Sequence, residues 1–200
     1  SFMILNLIRD AIRNIVGSKG PPVEFLEPTG DPGIFGPNSV AWLIHEDFIS
    51  MMIGGISSLV LQSLHPGVLA GVWDHSTFRE DLQGRLGRTA FFIAATTYGS
   101  TEMATRAIER VNKIHSKVTG IDELGQPYCA TDPHLLGWVH LTETRSFMNG
   151  CETYRHQSLT PLQKDQYIFE MKSRGEKMGA NHLPSSYQET EDAISSYRHE

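Results

Sequence analysis

Between Asp47 and His65 run 17 residues without a formal charge, Phe48 to Leu64. Such a stretch has to be shielded from water by protein or by lipid. It falls short of the roughly 20 residues that cross a bilayer, and it contains Ser50, Ser57, Ser58, Gln62 and Ser63. The reading is therefore a buried core helix and no transmembrane segment. The apolar start, Ser1 to Ile8, is followed at once by Arg9, Asp10 and Arg13 with no basic stretch before it, which is not a signal-peptide layout.

Helical periodicity recurs along the chain. Ile4, Ile8, Ile12 and Ile15 form one stripe over residues 2–16. Pro21, Pro22, Pro28, Pro32 and Pro37, with Gly30, Gly33 and Gly36, make 17–38 an extended Pro/Gly-rich loop. Helices are predicted at about 39–64, 79–98, 101–118, 134–155, 161–178 and 188–199. His65-Pro66-Gly67, Gly99-Ser100, a turn-rich stretch 119–133 and Leu183-Pro184 separate them. No window alternates with period two, so no strand is predicted and the fold class is all-α. With no repeat and no low-complexity tract, residues 1–200 read as a single domain. Residues 188–199 look like the opening of a helix, so the chain is expected to be a C-terminally truncated form of a longer protein.

Seventeen Lys and Arg against 23 Asp and Glu leave a formal charge of −6, which removes the footprint of a nucleic-acid binder or a polybasic membrane surface. Cys129 and Cys151 are too few for a disulfide framework and lack zinc-site spacing. A reducing, cytoplasmic setting follows. There is no GxSxG, GxGxxG, GxxxxGK[ST] or HExxH pattern.

Nine histidines are the unusual count. Ala104, Ala107, Ile108, Val111, Ile114, His115 and Val118 form one apolar helical stripe, and His115 is its only polar member. A lone imidazole in an apolar wall is either a core histidine with one hydrogen bond or an axial metal ligand of the kind that holds haem iron. One helix earlier Arg85, Arg88, Thr89, Phe92 and Thr96 share a stripe. The two guanidiniums and the hydroxyl either bind the carboxylates of an anionic cofactor or pair with Glu80, Asp81 or another helix's acids. His65 and His75 read as helix-terminating residues and His140 as a buried one beside Leu136 and Phe147. His134, His156, His182 and His199 read as surface residues, and His45 as a helix-face residue without a role. His140 with Glu143, and Glu152 with His156, leave a non-haem iron site as an alternative. A non-enzymatic helical module for a hydrophobic ligand is the other.

Taken in order, Gly36-Pro37-Asn38-Ser39-Val40-Ala41-Trp42, Leu64-His65-Pro66-Gly67-Val68-Leu69-Ala70-Gly71-Val72 with His75-Ser76, Arg85-Leu86-Gly87-Arg88-Thr89, His115 to Gly120, Tyr128 to Pro133 and Trp138-Val139-His140 resemble the MpaB oxygenase family, which includes the latex clearing type of rubber oxygenase. The resemblance runs from about residue 28 to the end. It implies a globin-like helical core carrying b-type haem, and an oxygenase that uses dioxygen on a small apolar substrate of the isoprenoid kind. By that resemblance His115 is the proximal iron ligand, and Arg85 and Thr89 hold a propionate. Arg88 stands where rubber oxygenases carry a distal lysine. No acid matches their distal carboxylate, with Leu69 nearest by spacing. Arg88 and His65 are then the residues expected to hydrogen-bond dioxygen.

Overall fold

The structure, a computed structural model, describes residues 30–155 and 158–197. Among these residues are eight helices and one two-stranded hairpin: α1 (Val40–His45), α2 (Phe48–Gln62), α3 (Pro66–His75), α4 (Leu82–Tyr98), α5 (Thr101–His115), β1 (Thr119–Ile121), β2 (Pro127–Cys129), α6 (Pro133–Tyr154), α7 (Pro161–Lys177) and α8 (Tyr187–Ser196). The all-α expectation stands. The stripe predicted over residues 2–16 lies outside the described residues, as do His156 and His199.

Three local corrections have physical causes. The predicted 39–64 helix is two helices, because the Asp47 carboxylate accepts the Ser50 amide at 2.8 Å and starts a new one. Pro66, read as part of a break, instead occupies the first turn of α3, where its missing N–H costs nothing. The hairpin lies inside the turn-rich 119–133, with Gly120 opposite Tyr128 and the Asp122 carboxylate accepting the amides of Leu124 and Gln126. Its strands have three residues each, too short for an alternation to show.

The other helix starts follow the sequence. Asp81, Ser100, Asp132 and Ser186 accept amides of the first turns of α4, α5, α6 and α8. Thr160 and Gln163 make a reciprocal capping box around Pro161 at the start of α7. The main core cluster joins Ala41 and Ile44 of α1 to Phe147, Met148 and Cys151 of α6, to Leu159, and to Tyr167, Ile168 and Met171 of α7.

The charge-free helix α2 is not the buried core helix expected. It lies on α6 through small residues, Ser50, Gly54 and Ser58, and turns Ile49, Ile56, Val60 and Leu61 outward. A methyl on Gly54 would sit 2.9 Å from the Ser146 carbonyl oxygen, so the two backbones touch. Among the described residues no single helix is long and apolar enough to cross a membrane. Helices α2 and α3 pass together by length and composition, with a 108° bend between them.

Candidate functional site

The expected cofactor residues sit on α4 and α5, and His65 at the N-cap of α3. Along α5 the apolar stripe is buried at Ala104 and Ile108 but opens toward its C-terminal end, where Ile114 is 54% exposed. α4 is the main packing partner of α5, so the last turn is only partly covered. His115 stands in that turn. Its Nδ1 is buried with no hydrogen-bond partner, and burial lowers its pKa, keeping the ring neutral. A buried ring nitrogen without a partner is costly in a finished core. Protein atoms already enclose this nitrogen, so a group bound there would have to meet the ring at its other nitrogen.

Arg85 is partly buried on α4, and its Nη1 donates to the Ser76 hydroxyl. Burial, and then the neighbouring Arg88, lower its pKa. Among the described residues no carboxylate pairs with Arg85. A partly desolvated guanidinium with a neutral partner retains its attraction for an anion. Thr89, one turn on, is exposed and donates to the Arg85 carbonyl at 3.1 Å.

His75-Ser76 brings these residues to one place. Ser76 takes the Arg85 guanidinium, while His75 Nε2 donates to the Thr119 carbonyl at 3.2 Å, four residues past His115. The helix bearing the arginines and the end of the helix bearing the histidine are thus tied to adjacent residues.

Arg88 and His65 have structural partners. Arg88 is exposed, 3.2 Å from the Asp81 carboxylate and 3.1 Å from the Thr77 hydroxyl. His65 caps α3, its Nδ1 accepting the Gly67 amide at 3.2 Å, and its ring faces that of His134. Of the groups named for a non-haem iron site, the two carboxylates are engaged otherwise, and His156 lies outside the described residues. Glu143 accepts Arg174 at 2.7 Å and Glu152 accepts Lys164 at 2.9 Å. Among the described residues no three His, Cys, Asp or Glu groups come together as a metal site.

His45 is a correction. It is not a helix-face residue without a role but the centre of a buried polar network: Nδ1 is 2.9 Å from the Thr97 hydroxyl and Nε2 is 2.8 Å from the Tyr167 hydroxyl. The network joins α1, α4 and α7, and the Arg174–Glu143 pair ties α7 to α6 beside it. Burial, with the Arg174 charge adding to it, lowers the pKa of both His45 and His140 to about 3. The signal was present, since His45 continues the Ala41 and Ile44 stripe, and Tyr167, Met171 and Arg174 follow at helical spacing.

Comparison with known proteins places the chain in a family. Residues 42–200 match the model described as ER-bound oxygenase mpaB/B'/Rubber oxygenase, catalytic domain. No curated protein and no solved structure matches the chain.

Proposed function

Because the chain belongs to the family of mpaB and rubber oxygenase catalytic domains, we propose that it is a b-type haem-dependent oxygenase acting on an apolar substrate with dioxygen. The supporting observation is the pairing at the α4–α5 site. His115 carries a buried ring nitrogen without a partner on a half-covered helix face, and Arg85 has only a hydroxyl for a partner at the adjoining segment. A haem needs one neutral imidazole and a cation for a propionate, and both are present.

In this reading His115 holds the iron through its neutral imidazole. Arg85 binds a propionate, and Thr89 adds a hydroxyl one turn away. Haem, when bound, supplies the iron that activates dioxygen. Arg88 and His65 are the groups assigned to hydrogen-bond dioxygen, and each would leave its present partner to do so. By the resemblance Leu69 is the position nearest the family's distal carboxylate, and no acid is assigned to proton transfer. Exposed Phe91 and the outward Ile56 and Val60 give an apolar substrate surface to lie on.

The test is reconstitution with hemin, read by absorption. A Soret band in the wild type that is shifted or lost in His115→Ala supports the reading. No Soret band in the wild type, or one unchanged by His115→Ala, overturns it. A second reading, a non-catalytic module for a hydrophobic ligand, draws on the same exposed apolar face of α2. It is favoured if apolar ligands bind while hemin does not.

A further inference from the structure

The opposite side of α5 carries a second feature. Arg110 and Lys113 lie on α5 at i and i+3, and Lys117 in the following turn continues the spacing to i+7. With His75, Ile114 and Val118 they line an open depression of about 420 Å³ on the surface. His115 is not part of this lining. On the helix its direction is opposite to the cationic row, with Ile114 and Val118 in between.

The charges are arranged against the protein's overall balance. The chain is net negative by six, yet this wall presents two ammonium groups and a guanidinium. Among the described residues none of Arg110, Lys113 and Lys117 forms an ion pair, whereas Arg106 on the same helix pairs with Glu102. Three like charges over two turns repel one another, and no acid on the wall of the depression offsets them. The His75 ring is oriented by its bond to the Thr119 carbonyl. Ile114, more than half exposed, and Val118 provide an apolar floor beside the cations.

We infer that this depression binds a small amphipathic anion, its carboxylate or phosphate head held by Arg110, Lys113 and Lys117 and its apolar part resting on Ile114 and Val118. Guanidinium and ammonium groups supply charge-assisted hydrogen bonds to the head. The apolar floor distinguishes a ligand with a short hydrocarbon portion from a bare anion. The anion-holding groups do not depend on the haem assignment, because Arg110, Lys113 and Lys117 have no role there; His75 and Ile114 border both sites.

The experiment uses the whole chain without hemin at low ionic strength, titrated with octanoate, with inorganic phosphate, and with phosphatidylglycerol or phosphatidylcholine vesicles. Amide NMR shifts and calorimetry are the readouts. The expected result is saturable octanoate binding that perturbs the amides of Ile114 and Val118, is tighter than phosphate binding, and weakens at least tenfold in Lys113→Gln/Lys117→Gln. Arg106→Gln, exposed on the same helix but outside the depression, retains wild-type binding. Equal octanoate affinity in the double variant overturns the proposal, as does the absence of saturable octanoate binding. Binding only to phosphatidylglycerol vesicles also overturns it, by making this face a headgroup contact and not a small-molecule site. Unchanged thermal melting of both variants shows that any loss is local.

Discussion

The carbonyl oxygen of Ser50 lies 2.6 Å from the point where a Cβ on Gly150 would stand. Helices α2 and α6 therefore meet backbone to backbone, and a methyl there has no side chain to displace. Gly150→Ala, and Gly54→Ala one turn along, are expected to cost about 1–3 kcal/mol each through overpacking. Gly55→Ala is the contrast, because its new Cβ would meet Phe147 Cε1 at an ordinary 3.7 Å. Its better helix propensity should leave stability equal or up to about 1 kcal/mol higher. Thermal or urea melts of the three variants test this.

The buried network sets the acid limit of the fold. His45 and His140 titrate in the folded state at about 3, against about 6.5 unfolded. Between those values the unfolded chain takes up protons that the native state refuses. Each histidine's contribution is thus intact above pH 6.5 and is lost as pH falls, by about 1.4 kcal/mol per pH unit below that value. Urea midpoints measured from pH 7 to pH 4 should fall steeply. His45→Asn or His140→Asn should flatten the slope, whatever either does to stability at pH 7.

Arg174, 2% exposed, is the charge that both histidines feel. Removing it leaves the mostly buried Glu143 without its partner. Arg174→Ala is expected to destabilise by roughly 3–5 kcal/mol, as breaking one half of a buried pair does. Arg88→Ala breaks an exposed pair with Asp81 and an exposed bond to the Thr77 hydroxyl and should change stability by less than about 1 kcal/mol. Denaturation curves of the two variants separate a core arginine from a surface one.

His65 can be tested in its capping role apart from any role toward dioxygen. His65→Ala removes the acceptor for the Gly67 amide and should cost on the order of 1 kcal/mol. His65→Asp should recover that loss. If activity follows the cap, it returns with Asp. If the imidazole itself is needed, it stays lost in both.

Most of the helices are legible in the sequence, and what depends on a partner or on a few residues is not. The positions of α4 to α8 are legible to within a few residues, because each begins with a side-chain cap. Periodicity fails at Pro66, where one residue signals either a break or a start, and at the two three-residue strands. The charge-free stretch of α2 was a real signal read in the wrong direction. Composition says that large apolar residues need cover, but not that Ser50, Gly54 and Ser58 would take the protein side and leave Ile56 and Val60 outside. At the candidate site the stripe that His115 interrupts was legible. The link through His75-Ser76 was not, since it joins residues far apart in the chain.

Helix α5 packs mainly on α4, donates from Asn112 to the Lys177 carbonyl at the end of α7, and is fastened at its far end through Thr119. A ligand bound along it would add stability in proportion to RT ln(1 + [L]/Kd). The melting temperature of preparations should then depend on how well the expressing cell was supplied with that ligand, so two batches of identical sequence need not be equally stable.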